Sequence, residues 1–278
     1  MSRPKNYDNK TIESFGDEWN KHNQSDISKE ELQKLFWKYF SLLKIENLGN
    51  SSVGFDMGSG SGRWAAFVAP YVGLLNCIEP SDAIEVSKRS LSDHNNINFI
   101  KGYVDDCGLE ESSQDFGYSL GVLHHIPDTK EALLSCVKYL KPGAPMLIYL
   151  YYNFDNRSLF FKAIWKLSDL MRMIISKLPA RIKNLITNII AVLVYFPLSR
   201  FSKILEMCGL PFKWMPLSFY RNNSFKTLIT DSRDRFGTPL EQRFSKNDIE
   251  SMMIEAGLNN ISFSNEEPYW VSVGYKKI

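Results

Sequence analysis

The sequence predicts an α/β fold: a mostly parallel sheet with a reversed C-terminal strand, helices on both faces, and a helical insertion after strand five. Three observations predict it. Between residues 53 and 151, short and nearly continuous apolar runs alternate with helix-like segments, as strands buried on both faces of a parallel sheet do. From 155 to about 240 that rhythm gives way to long stretches of helical periodicity. Finally, the last two strand-like runs are joined by a link too short for a crossover helix, which makes them an antiparallel pair.

The elements follow in order. Residues 1–50 read as a polar helical leader in which EELQKLFWKYFSLL (30–43) places apolar side chains at helical spacing. The core at 51–154 carries five predicted strands: VGFDM (53–57), LLNCIE (74–79), INFIKG (97–102), FGYSLGVL (116–123) and APMLIYLY (144–151). KPG (141–143) is a stop signal ahead of the fifth. The insertion covers 155–243, including SLFFKAIWKLSDLMRMIISKL and ARIKNLITNIIAVLVYF. Residues 244–278 complete the sheet: SKNDIESMMIEAGL (245–258) is a capped helix ending at Gly257, and NNISFS and YWVSVGYKKI are the closing strands.

The 278 residues are enough for one sizeable core, or one core plus an insertion. A formal charge of +2 gives no global bias toward nucleic acid. Cys77, Cys107, Cys136 and Cys208 are scattered, with no CxxC pair, so no metal is expected and the thiols fit a reducing compartment. The N-terminus lacks the apolar core of a secretory signal, and no apolar run reaches the ~18–20 residues of a bilayer span. The expected location is cytoplasmic, with peripheral membrane contact through 158–205 as an open option.

Gly58, Gly60 and Gly62 sit where the first strand turns toward a helix, the place where glycines let backbone approach a ligand. Their spacing is GxGxG, with Arg63 where a nicotinamide-binding loop would carry its third glycine, and Asp56 precedes them. A pyrophosphate beside Asp56 would be repelled, whereas an ammonium would be welcomed. S-adenosylmethionine has such a group, together with a sulfonium, a ribose and an adenine. Glu79, in CIEPS at the end of the second strand, can accept from both ribose hydroxyls, with Pro80 and Ser81 beside it. Asp105 or Asp106, after the third strand, can accept from the adenine amine. LGVLHHIPD, starting at Leu120, would lie at the switch point beside the reacting methyl.

DMGSGSG, CIEPS, VDD, DFGYSLGVLHHIPD and LKPGAPMLIYLY, together with EAGLNNISFS, resemble the class I S-adenosylmethionine-dependent methyltransferases of the small-molecule group. The resemblance covers roughly 50 to 152 and extends to the C-terminus. It implies a Rossmann-like sheet, with Asp56 and the Gly58–Gly62 loop (Ser59 included) near the methionine moiety and Glu79 on the ribose. Many members have Gly-Asp-Ala where this chain has Gly102-Tyr103-Val104, so either Asp105 or Asp106 could meet adenine. TIESFGDEWNKH also looks like the leader of some small-molecule members. That likeness puts Tyr7, Phe15 or Trp19 over the sulfonium, where cation–π attraction is worth about 0.5–2 kcal/mol; the alternative is that these aromatics only anchor the leader.

Methyl transfer from a sulfonium is an in-line displacement that needs a base only when the acceptor must lose a proton. His125, and after it His124, are the candidates, and neighbours on an extended stretch would point to opposite sides. Ten Lys/Arg against three acids between Asp155 and Lys213 mark the insertion as basic as well as apolar, suiting a lid over an acidic or lipid-linked acceptor or a membrane-surface element. The polar stretch 221–244 and its border offer Tyr220, Arg221, Asp231, Asp234, Arg235, Glu241 and Arg243 as acceptor contacts, or as a solvated loop with internal ion pairs.

The resulting expectation is methyl transfer to a small-molecule or lipid- or sugar-linked acceptor, with oxygen the first choice of receiving atom. Nitrogen or carbon, as in quinone-ring methylation, is the alternative; another is a non-catalytic cofactor-binding protein. A nucleic-acid acceptor is disfavoured because GVLHHIPD stands where an Asn/Asp-Pro-Pro-aromatic motif would be expected. The sequence leaves the oligomeric state open.

Overall fold

The computed structural model describes residues 6–21 and 28–278, so parts of the predicted leader lie outside the described residues. The chain divides into two compact units: one of residues 1–23, 33–155 and 240–278, the other of 24–32 and 156–239.

The first unit is built on a seven-stranded sheet of β1 (Val53–Met57), β2 (Leu74–Ile78), β3 (Ile97–Ile100), β4 (Phe116–Leu120), β5 (Pro145–Tyr149), β6 (Leu258–Phe263) and β7 (Ser272–Lys276). The order is β3-β2-β1-β4-β5-β7-β6. All pairs from β3 to β5 are parallel, and β7 runs antiparallel to both β5 and β6. This is the mostly parallel, Rossmann-like sheet with one reversed C-terminal strand that the apolar runs predict. β1 fills its apolar run, whereas β2, β3, β4 and β5 end before theirs, because those runs continue into the loops at the sheet's carboxyl edge.

Helices α1 (Asn9–Lys21), α2 (Lys29–Phe40), α3 (Ala65–Val68), α4 (Ala83–Ser90) and α5 (Thr129–Tyr139) precede the insertion. One face of the sheet packs Phe55, Met57, Met146 and Ile148 against Leu133 and Val137 of α5 and Met253 from the later helix Lys246–Glu255. That later helix is fixed by a capping box, with Ser245 accepting from the Asp248 amide and Asp248 from the Ser245 amide.

The second unit contains α6 (Leu159–Ile175), α7 (Ala180–Ile190), a π-helical segment (Ala191–Tyr195), α8 (Phe196–Met207) and α9 (Phe225–Gly237); Lys246–Glu255 is therefore α10. Ile175, Ile190, Tyr195, Leu228 and Phe236 form its core. Two expectations change here. Residues 221–244 do not form a loop, since α9 occupies most of that stretch with Ser224 as its cap. Nor does the apolar run stop at Phe196. Ala180–Met207 is one continuous 28-residue helix, long and apolar enough by length and composition to cross a membrane. Pro197 does not break it because the proline falls just after the π-helical turn, where the usual hydrogen-bond ladder is already shifted.

Candidate active site

The sheet's order reverses between β1 and β4, and open α/β sheets bind ligands in the crevice outside the strand ends at that point. The glycine loop fills the β1 side of it. The amides of Gly58 and Ser59 both donate to the Ile78 carbonyl, at 2.9 and 3.0 Å, which folds the loop against the end of β2. Gly58 has φ +81°, and a Cβ there would lie 2.4 Å from the Val122 side chain. Only glycine meets both conditions.

Glu79 is buried and ties the loop to the β2 end. Its Oε2 accepts from the Gly60 amide (3.0 Å), and its Oε1 accepts from the amide (3.0 Å) and hydroxyl (2.5 Å) of Ser81. Burial raises its pKa while these bonds to Ser81 and Gly60 oppose the rise. The residue that sequence reading assigns to ribose thus also sets the loop's shape. Asp56 is buried beneath the loop, and its pKa is raised to about 8, chiefly by burial. The Tyr118 side chain opposes that rise, the Glu79 charge adds to it and Arg63 again opposes it.

Helix α1 distributes its aromatics over three strand ends. Tyr7, just before the helix, stacks on Tyr103 after β3 (4.3 Å between centroids, 17°). Phe15 meets His125 after β4 edge-on (5.0 Å). Trp19 lies beside Gly60 after β1, where a Cβ would be 3.3 Å from its indole nitrogen, and Arg63 sits 5.7 Å from its ring. A Cβ at Gly16 would meet Ser81 at 3.4 Å, an ordinary contact, so the helix passes close to the β2 end there. Asp105 and Asp106 are exposed in the turn that Tyr103 and Asp106 close with paired backbone hydrogen bonds (3.1 Å each). Leu120 is the last residue of β4, and Pro80 lies beyond the end of β2.

The two histidines do not lie on an extended stretch. Leu123–His125 is a 3₁₀ turn, so both rings are buried on the same side, 4.0 Å apart. This corrects the expectation of opposite faces: in a 3₁₀ turn successive side chains are about a third of a turn apart, not half. His124 stacks on Tyr151 (3.9 Å, 29°), and neither of its nitrogens has a hydrogen-bond partner among the described residues. Burial first, then His125 and Arg243, hold its pKa well below the usual imidazole range, so it is a neutral packing group. His125 places Nδ1 2.6 Å from the Leu240 carbonyl. A carbonyl only accepts, so Nδ1 carries the proton and Nε2 holds the lone pair of the neutral ring.

Beyond β5 stands an aromatic cluster that sequence reading passes over. Tyr149 lies 5.1 Å from Tyr39 and 5.9 Å from Tyr151. Arg243 sits over Tyr151 (5.0 Å) and Phe154 (5.1 Å), with its Nε 2.7 Å from Glu241. The run IYLYYNF (148–154) was its visible signal.

Of the predicted acceptor residues, only Arg243 and Glu241 belong to this unit. Within the other unit, Tyr220 hydrogen-bonds Asp231, Arg221 binds Glu206 with two 2.8 Å bonds, and Arg235 lies 3.5 Å from Asp169. Asp234 accepts from the Thr238 hydroxyl through its backbone carbonyl. For Tyr220, Arg221 and Arg235 these are internal pairs that position α9 and its neighbours.

Residues 55–148, which contain the glycine loop, Glu79 and the histidine turn, match the methyltransferase domain family. The fold is also that of a methyltransferase solved in complex with the Trm112 activator of Haloferax volcanii. The two are 12% identical over 96% of this chain and 99% of that one, with a TM-score of 0.53. It is likewise that of an S-adenosylmethionine-dependent methyltransferase from Thermotoga maritima, with 12% identity, coverage of 95% and 100%, and a TM-score of 0.50. A Galdieria sulphuraria protein assigned as a sarcosine dimethylglycine methyltransferase is 24% identical over 42% of this chain and only 46% of its own length (TM-score 0.39). No curated protein sequence matches the chain. The sheet has the Rossmann-like fold of the class I S-adenosylmethionine-dependent methyltransferases, and residues 55–148 within it match a methyltransferase domain. The cofactor of that class is S-adenosylmethionine, which supplies a methyl group activated on a sulfonium.

The chain's residues fit that cofactor. Ser59 Oγ is buried in the glycine loop with no hydrogen-bond partner among the described residues. A Cβ at Gly60 would press on the Trp19 ring at 3.3 Å, so glycine keeps the loop backbone open there, and Asp56 and Glu79 supply carboxyl groups for a cationic ligand with hydroxyls. Among the described residues, no group of three or more His, Cys, Asp or Glu is placed to hold a metal.

Proposed function

We propose that the chain methylates a small-molecule or lipid- or sugar-linked acceptor, most naturally at oxygen, with His125 as the base. In this reading Asp56, Ser59 and the Gly58–Gly62 loop hold the amino-acid end of the cofactor, and Glu79, with Pro80 and Ser81, holds the ribose. Asp105 or Asp106, beside Leu120, meets adenine. Trp19 and Phe15 cover the reacting centre, and Tyr7 extends the Tyr103 stack toward the adenine end. Arg243, held by Glu241 against Tyr151, faces the acceptor.

The observation that carries an oxygen acceptor is the His125–Leu240 hydrogen bond. It fixes the tautomer that can take a proton at Nε2, and a hydroxyl acceptor has to give up a proton where an amine attacks with its lone pair. Phe15 and Tyr151 pack around the same ring and limit its rotation. Calorimetric titration with S-adenosylmethionine and S-adenosylhomocysteine, repeated on Glu79→Ala, tests the cofactor part. Both ligands should bind, and the variant should bind both more weakly. Transfer of labelled methyl to hydroxyl, amine and carbon acceptors then tests the rest. With a hydroxyl acceptor, His125→Ala should lower kcat about 10²–10⁴-fold at neutral pH, with partial recovery at alkaline pH. An unchanged kcat would remove His125 as base and favour nitrogen. Binding without transfer to any acceptor would favour a non-catalytic binding protein.

A further inference from the structure

The unit of residues 24–32 and 156–239 exposes two apolar stripes that nothing in its own core requires. On α6, Phe160, Ile164, Leu167, Met171 and Ile174 recur every three or four residues and are all exposed, Leu167 at 63%. On the Ala180–Met207 helix, Leu185, Ile189 and Leu193 do the same, and Ile204 and Met207 are exposed further along it, with Leu193 at 68% and Met207 at 78%. Monomer surfaces rarely leave so many large apolar side chains uncovered in register.

Charge says what covers them. Residues 156–239 contain fourteen Lys/Arg and four Asp/Glu. Three of the acids are held internally: Asp169 by Arg172 (2.8 Å), Glu206 by Arg221 (2.8 Å) and Asp231 by Tyr220. Lys166, Arg181 and Lys203 remain exposed along the same helices as the stripes, and Lys177 in the turn between them. An apolar face bordered by lysine and arginine complements an anionic lipid surface. A second copy of the chain would set these cations against each other.

We infer that this unit docks on an anionic bilayer through the outward faces of α6 and the Ala180–Met207 helix, lying in the interface and not crossing it. The inward face of the long helix excludes a crossing. Thr187, Tyr195, Ser199 and Ser202 are buried there, and the Ser232 hydroxyl donates to the Thr187 carbonyl (2.8 Å). Arg200, midway along, donates to the carbonyls of Arg221 (2.7 Å) and Asn223 (2.8 Å). A spanning helix would have to break these bonds and carry the polar face into hydrocarbon. The docking deepens the lipid-linked part of the proposed acceptor class and needs no methyl transfer to be true.

The test is flotation of the full chain with vesicles of phosphatidylcholine plus phosphatidylglycerol, compared with phosphatidylcholine alone. The chain should float with the mixed vesicles and far less with the neutral ones. Leu167→Glu with Leu193→Glu should weaken that binding by about tenfold or more, and Lys166→Glu with Lys203→Glu should remove the preference for anionic lipid. Both pairs are exposed, so the melting temperature should not move. Absence of flotation with mixed vesicles, or equal flotation of all variants, overturns the inference. A dimer by light scattering that Leu167→Glu with Leu193→Glu dissolves, without flotation, assigns the face to a second copy instead. Calorimetry with S-adenosylmethionine on the same samples separates this outcome from a failure of the proposed function.

Discussion

Asp56 carries the most informative pH dependence in the molecule. Its carboxyl moves from 3.8 to about 8, chiefly through burial, with Tyr118 and Arg63 opposing the shift and Glu79 adding to it. That difference corresponds to a penalty on the order of 5 kcal/mol against the charged form. The carboxyl is therefore mainly neutral at pH 7 before any cation arrives. A ligand ammonium beside it favours the charged form, so binding should expel a proton wherever the free site is protonated. The affinity for S-adenosylmethionine should rise about tenfold per pH unit toward pH 8 and stop rising there, as Asp56 ionises in the free protein and the ligand's own amine begins to titrate.

Calorimetry at several pH values, in buffers of differing ionisation enthalpy, reads both the affinity and the proton count. About one proton should leave per ligand well below pH 8. S-adenosylhomocysteine should behave in the same way, whereas 5′-methylthioadenosine, which lacks the amino-acid end, should bind independently of pH. Asp56→Asn should flatten the profile and weaken only the two ligands that carry an amine. The variant's stability has its own sign. The raised pKa makes the folded protein hold this proton more tightly than the unfolded chain, so wild-type stability falls as pH rises from about 4 to about 8. The melting temperature of Asp56→Asn should gain on the wild type across that window and run parallel above it. A flat wild-type profile, or the same slope surviving in Asp56→Asn, would refute this account.

Two further outcomes follow from the packing around the site. Gly58→Ala should destabilise the fold by several kcal/mol on the order of a disrupted core site, because its Cβ falls 2.4 Å from Val122. Gly60→Ala should cost only about 1–2 kcal/mol of left-handed backbone strain, because its nearest neighbour is the Trp19 ring at 3.3 Å. Thermal melts of the two variants rank them, and equal losses would contradict the geometry. His124→Phe should leave stability unchanged or raise it, since the ring is buried, neutral and stacked on Tyr151; a drop of several degrees in melting temperature would reveal a hydrogen bond that the packing does not show.

Most of the sheet is legible in the sequence because burial on both faces leaves a direct trace: five nearly continuous apolar runs, then two joined by a link too short to cross over. The glycine loop is legible for a similar reason, since left-handed backbone at a crowded turn admits one residue type. What the sequence hides is set by long-range geometry or by competing local signals. TDSRDR reads as solvated because its polarity masks a helix in which Asp231, Ser232 and Arg235 are bonded within their own unit. The apolar run reads as ending at Phe196 because nothing local announces the π-helical turn that lets the helix continue through Pro197. The histidine pair reads as extended because a 3₁₀ turn of three residues leaves no periodicity to detect.

The contacts of α1 show where this boundary lies. Tyr7, Phe15 and Trp19 are recognisable as unusual aromatics in a polar leader, but their partners, Tyr103, His125 and Gly60, are each separated from them by tens of residues. Composition alone could single out the aromatics, but only the strand order β3-β2-β1-β4 decides which strand end each one covers. The same order brings Glu79 to the Gly60 amide and Asp56 to Tyr118. Residue chemistry therefore names the participants in this site, and sheet topology decides how they are paired.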